Sequence, residues 1–216
     1  MTPTEAKNPV VDVFLSPDSN DFCVTTEEMK MFMVIETADV DHISAKYCEP
    51  TLTDKLCKKP AAGCVEIIGD VEIKSGFNTD LMKNVEAIYG SLIIKATTLT
   101  NFGFLEKLKY VATLEHKPAI SIEDNKNLTN VDFPSLKRIR SDSTNTIEFK
   151  YNNRALSADP SICFGVRKAL NLSDWAPTFD DFSCEILETQ AKAEAAKKSS
   201  IVWNGLISVV SLVFIL

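Results

Sequence analysis

The residues of this chain best placed for chemistry are six cysteines, Cys23, Cys48, Cys57, Cys64, Cys163 and Cys184, and that chemistry is thiol oxidation. Four stand near the start and two near the end. An even count in two clusters reads as a disulfide framework formed in an oxidising compartment. Spacing alone leaves the connectivity open; we expect Cys163 to pair with Cys184, and the four N-terminal cysteines to pair among themselves. Zinc is the competing use. The chain has no C-x-x-C, and His42 and His116 lie far in sequence from any paired cysteines, whereas structural zinc takes its ligands in close pairs. No metal and no other cofactor is expected.

Carboxylates offer less. Glu123-Asp124 and Asp180-Asp181 are adjacent pairs, but neighbours on a strand point to opposite faces and do not form an acid–base couple. No Gly-rich phosphate loop, nucleophile elbow or metal dyad occurs, so catalysis is not expected. Two N-glycosylation sequons, Asn127-Leu128-Thr129 and Asn171-Leu172-Ser173, agree with the cysteines in pointing to the secretory route. The formal net charge of −7 argues against nucleic acid as a partner, which requires a basic face. A length of 216 residues with 45% hydrophobic and 25% charged residues fits one globular domain with tails.

A repeat supplies the elements that position these groups. Val71-Glu72-Ile73-Lys74, Leu92-Ile93-Ile94-Lys95, Ile120-Ser121-Ile122-Glu123 and Ile147-Glu148-Phe149-Lys150 each carry an apolar residue at alternate positions. That is the period of a strand with one buried face. With Val71, Leu92, Ile120 and Ile147 equivalent, the steps are 21, 28 and 27 residues, the interval of a solenoid. Ile67-Ile68-Gly69 and Ile88-Tyr89-Gly90 precede the first two strands, and glycine there suits a sharp corner or a close backbone approach. Leu99-Thr100-Asn101-Phe102 and Leu128-Thr129-Asn130-Val131 follow the second and third strands; an inward Asn at such a bend would bond its backbone. Leu108 matches Leu136 and Val111 matches Ile139, and Pro134 argues against a long helix in that leg. Each coil is therefore strand, bend, short irregular or 3₁₀ leg, corner, strand. An antiparallel sandwich would need Asn-Gly or Asp-Gly hairpins, and none lies between these strands.

The register places Glu72, Ile93, Ser121 and Glu148 on one outward ladder and Lys74, Lys95, Glu123 and Lys150 on the next. With rungs roughly 4.8 Å apart, these eight side chains would pave an open face. Ile93 is its one apolar member. A solvated charged ladder with an incidental isoleucine is the plain alternative.

The ends differ from the coils. Val10-Val11-Asp12-Val13-Phe14-Leu15 is too short and interrupted for a signal peptide, so none is visible; a first exon is missing, a leader was trimmed, or the protein is cytosolic, and we expect one of the first two. Residues 185–200 are rich in helix formers and read as a stalk. Residues 201–216 are uncharged and end abruptly. They read as a short transmembrane segment or as a lipid-anchor signal, with a buried core helix as the remaining alternative.

Several stretches resemble the receptor L domain of the insulin and epidermal growth factor receptors, and more closely the nematode group of receptor L-domain proteins that lack a kinase. They are Phe22-Cys23-Val24-Thr25-Thr26-Glu27-Glu28, Lys46-Tyr47-Cys48-Glu49-Pro50, Cys64 through Ile73, Tyr89 through Ile94, Leu108 through Val111, Asp124 through Thr129 and Asp159-Pro160-Ser161-Ile162-Cys163. The resemblance spans about Phe22 to Glu185. It implies a mainly β, right-handed, leucine-rich-like solenoid with disulfide-capped ends, displayed outside the cell. It also implies that the sheet face contacts peptide ligands. There is one such domain, without a cysteine-rich module or kinase, so signalling by its own catalysis is out of reach.

The expected organisation is an N-terminal extension over 1–21, the domain over 22–184, the stalk, and the membrane-associated segment. The expected function is a non-catalytic, membrane-anchored cell-surface glycoprotein that recognises a secreted peptide or another receptor's ectodomain. An adhesive surface glycoprotein that binds its own kind is the second reading, and a polysaccharide-active β-helix enzyme the third.

Overall fold

The computed structural model describes residues 11–16, 22–35, 37–40, 42–173 and 175–213, the last fifteen of these and Val11 by backbone only. The chain begins with a small unit. Strand β1 (Val11–Asp12) pairs in parallel with β3 (Ala38–Asp39), and β2 (Cys23–Val24) with β4 (Lys46–Tyr47). Between them lies helix α1 (Thr26–Val34). Thr25 and Glu28 start it reciprocally: the Thr25 hydroxyl accepts from the Glu28 N–H at 3.1 Å, and the Glu28 carboxylate accepts from the Thr25 N–H at 2.8 Å. This satisfies two donors that a helix N-terminus leaves open. Met29 and Met33, one turn apart, face inward and are buried.

Strand β5 (Leu56–Cys57) opens the first of two parallel sheets; the next strand joins the same sheet, and from there the chain alternates between the two as far as Lys150. The first sheet holds β5, β6 (Glu66–Ile68), β8 (Ala87–Tyr89), β10 (Tyr110–Ala112) and β12 (Arg138–Arg140). The second holds β7 (Val71–Ile73), β9 (Leu92–Lys95), β11 (Ile120–Glu123), β13 (Ile147–Lys150) and β14 (Thr178–Phe179). Each circuit from Glu66 to Lys150 therefore lays one strand on each sheet. The legs behave as expected: 3₁₀ turns at Thr79–Met82 and Gly103–Leu105, and no helix across Pro134.

Val71, Leu92, Ile120 and Ile147 are register partners along the second sheet, as the repeat predicts. Ile67, Ile88, Val111 and Ile139 are partners along the first. All eight side chains join one apolar column with Phe102, Leu105, Leu108 and Leu128. The residues read as joints, at Ile67-Ile68 and Ile88-Tyr89, thus form a sheet of their own. It is missed in the sequence because its three-residue strands are too short to show alternation.

Gly69 and Gly90 turn the corner between the sheets for two reasons. Gly69 has φ +115, and a Cβ on Gly90 would lie 2.4 Å from the Gly69 carbonyl oxygen. One expectation is overturned: Asn101 and Asn130 do not point inward. Both are exposed, and each accepts from a backbone N–H two residues on, Gly103 at 2.9 Å and Asp132 at 2.6 Å. The inward residue is Asn125. Its Nδ2 donates to the Ile94 and Glu123 carbonyls, both at 2.9 Å, and its Oδ1 accepts from the Thr97 N–H at 2.9 Å. Asn152 repeats the role one coil later, accepting from the Asn125 N–H at 2.9 Å and donating to the Ile122 carbonyl at 2.8 Å.

After β13 the path changes to α2 (Arg154–Ala158) and α3 (Pro160–Ala169), capped by Asn153 and Asp159 respectively. Helix α4 (Cys184–Val213) follows β14. Disulfides join Cys23–Cys48, Cys57–Cys64 and Cys163–Cys184, so Cys163 pairs with Cys184 as expected. The start of α4 is docked rather than free, with Leu187 buried and Arg167 of α3 bound to Glu185. Among the described residues no helix is long and apolar enough to cross a membrane. The side chains of the 201–216 segment lie outside the described residues, as do most residues of the 1–21 extension.

Candidate binding face of the second sheet

The outer faces of the two sheets differ. The N-terminal unit covers the first: Val24, Met29, Met33, Val40 and Ile43 pack with Ala87, Tyr89 and Ala112 in a second apolar cluster. Tyr47 reaches across to donate its hydroxyl to the Ala112 carbonyl at 2.8 Å, and burial pushes its phenol well above the ordinary value. Arg140 is fully buried between unit and sheet.

Strand alternation turns the predicted residues outward on the second sheet. Glu72, Ile93, Ser121 and Glu148 stand in register, as do Lys95, Glu123 and Lys150. Lys74 lies one residue past the end of β7 and pairs with Glu72 at 2.8 Å. The structure therefore gathers the predicted ladders on one face. It adds a rung that the sequence reading missed: Thr178 of β14 partners Glu148, and its hydroxyl donates to Asn145 Oδ1 at 2.9 Å. A two-residue strand after two helices carries no periodic signal. Its inward neighbour Phe179 stacks on Phe149 with ring centroids 4.3 Å apart.

The polar side chains of the face bind one another. Lys95 bridges to Glu123 at 2.8 Å, Ser121 donates to Glu148 at 2.9 Å, and Lys150 contacts Glu148 at 2.9 Å and Asp181 at 3.3 Å. Glu123 and Glu148 hold the Lys95 and Lys150 ammonium groups above their ordinary values. Ile93 is half-buried between Glu72 and Ser121. Such a surface is a mosaic of alternating charge around one apolar spot. Its carboxylates are committed to lysines or hydroxyls, and no acid–base couple is assembled on it.

Beside this face, the chain turns through positive φ after each long strand, at Ala96, Asp124 and Tyr151, and again at Asp180 after β14. The sequence gives little sign of these corners, since residues other than glycine fill them. Away from the face, Asp12, Asp39 and His42 bring ligand atoms within 4.8 Å of one another. It is the group most able to hold a cation among the described residues, although surface clusters of this kind are common without one. The sequon residues Asn127 and Asn171 are both exposed.

Two five-stranded parallel sheets stapled by disulfides, one covered and one with no cover among the described residues, define a repeat-built display module. Residues 63–168 match the family model of the receptor L domain. The receptor L domain is a non-catalytic binding-domain family. No curated protein and no solved structure matches the chain.

Proposed function

We propose that the protein is an extracellular, non-catalytic receptor-like module that recognises a secreted peptide or another receptor's ectodomain with the outer face of its second sheet. The observation that carries this reading is the asymmetry of cover: the N-terminal unit packs on the first sheet, while Glu72, Ile93, Ser121, Glu123 and Glu148 remain on a face that no element packs against among the described residues. A regular face of mixed charge around an apolar centre suits an extended partner, because electrostatic complementarity sets register and an apolar anchor adds affinity.

The wider organisation belongs to the same proposal. Residues 22–184 form the domain, wound as a right-handed solenoid in keeping with the handedness of parallel crossovers. Residues 1–21 extend it, 185–200 form a stalk, and 201–216 tether it to the membrane as a transmembrane segment or a lipid-anchor signal.

The test compares the wild-type chain with Ile93→Glu and Glu72→Lys for binding to a panel of secreted peptides and receptor ectodomains. A partner lost with both variants and retained by Lys58→Glu, which lies outside the face, supports the reading. Binding that survives both changes sinks it, and loss of self-association in their place would favour an adhesive role.

A further inference from the structure

The two sheets do not end level. After β13 the second sheet gains β14, but the first gains nothing beyond β12, because the chain passes that circuit in α2 and α3. On β12, the Arg138 N–H bonds the Lys109 carbonyl at 3.2 Å and the Arg140 carbonyl accepts from Thr113 at 3.0 Å, both toward β10. Parallel strands alternate the direction of these groups, so the N–H and C=O of Ile139 turn the opposite way, to an open edge. That edge lines a groove of about 1040 Å³, together with Met33 and Val34 of α1 and the turn after α3. Open edges are templates for unwanted strand pairing, and proteins generally blunt or cover them.

The turn that forms the far wall is the sequon Asn171-Leu172-Ser173. Asn171 and Ser173 are exposed, and both line the groove. Asn171 sits at φ +50 just past the end of α3. It is held there by its own N–H to the Lys168 carbonyl at 3.3 Å and by the Leu172 N–H to the Arg167 carbonyl at 3.0 Å. The acceptor residue is therefore held at the rim of a sheet edge that has no neighbouring strand among the described residues.

We infer that Asn171 carries an N-linked glycan whose first sugars cover the open edge of β12. The inference rests on the extracellular reading, because the modification requires the secretory route. In the transfer, Asn171 Nδ2 attacks the anomeric carbon of a lipid-diphosphate-linked oligosaccharide. The new C–N bond forms as the anomeric C–O bond breaks, the diphosphate leaves with the electron pair, and the amide loses one proton. The attached sugars offer hydroxyls to the Ile139 backbone groups and bulk against a second chain.

The full chain, produced in a secretory eukaryotic host behind a cleavable leader, tests this. The tryptic peptide over 169–192 should carry an oligosaccharide mass that a peptide-N-glycosidase removes. Ser173→Ala should lose that mass while leaving Asn171 at its positive φ, and Ser173→Thr should keep it. Hydrogen exchange at the Ile139 amide and self-association by light scattering should both rise several-fold in the Ser173→Ala form. A secreted, fully disulfide-bonded chain with bare Asn171 overturns the inference and leaves the binding reading intact. Glycosylated protein whose Ile139 exchange and association do not change on loss of the sugar overturns it too. A chain that never reaches the secretory lumen folded and oxidised sinks the extracellular reading and this inference together.

Discussion

Arg140 Nε donates to the Val40 carbonyl oxygen at 3.1 Å across 100 residues of sequence. The same guanidinium also bonds the Thr113 and Ile43 carbonyls and lies 3.8 Å from Asp142, with none of the side chain exposed. Arg138, two residues earlier on the same strand face, holds the Phe32, Ile35 and Ala38 carbonyls. Together these arginines fasten the N-terminal unit to the first sheet. Truncating Arg140 leaves buried carbonyls without donors, each worth about 1–3 kcal/mol. Arg140→Ala should therefore lower stability by about 3 kcal/mol or more in chemical denaturation, and limited proteolysis should cut the N-terminal unit first. An intact N-terminal unit would show that Arg138, Tyr47 and the apolar packing hold it without Arg140.

The Asn125–Asn152 stack makes a second expectation. Asn125 is fully buried with every polar atom bonded. Asn125→Ala should cost about 2–4 kcal/mol, since several backbone groups lose partners in a dry interior. Asn101→Ala, at an exposed local cap, should cost about 1 kcal/mol or less. Denaturant midpoints for the two variants give the comparison directly.

Backbone geometry predicts opposite signs for glycine and alanine exchanges. Ala96 is exposed at φ +52, a region that disfavours a Cβ by roughly 1–2 kcal/mol. Ala96→Gly should raise the melting temperature despite the added freedom of the unfolded chain. Gly90→Ala should lower it sharply, because the new methyl meets the Gly69 carbonyl at 2.4 Å, and backbone cannot retreat without breaking the corner.

Acid should loosen the docking of α4. Arg167 binds Glu185 through Nη2 at 3.2 Å and holds its carboxyl at about 2. A carboxyl depressed in the folded state contributes stability above its ordinary value near 4.5, and the contribution fades as pH falls from there toward 2. Glu185 is half-exposed, so solvent screening limits the contribution to about 1 kcal/mol or less. Stability measured from pH 6 down to about 2 should fall less steeply for Glu185→Gln than for the wild-type chain. Parallel curves would assign the link no energetic role.

Alternating apolar residues made the second sheet legible, because in Ile120–Glu123 and Ile147–Lys150 a single buried face leaves a period-two mark. The outward ladder followed from the same period. The Asn125 stack is not legible in the sequence, because the Leu-x-Asn spacing at Asn101 and Asn130 resembles an inward bend. Which bend is inward depends on the φ +56 corner at Asp124 just before it. The cover on the first sheet is not legible either, since no local pattern around Arg138 and Arg140 shows that carbonyls 100 residues away meet them.

Local chemistry in the sequence determined the repeat, the disulfide-forming cysteines and the residues that face out of the second sheet, because strand period and thiol oxidation are short-range properties. Only the tertiary structure decided that one sheet is covered and the other has no cover among the described residues, and that β12 ends with an open edge beside Asn171. Those outcomes depend on which backbone groups meet across long separations, and no window of sequence contains both partners.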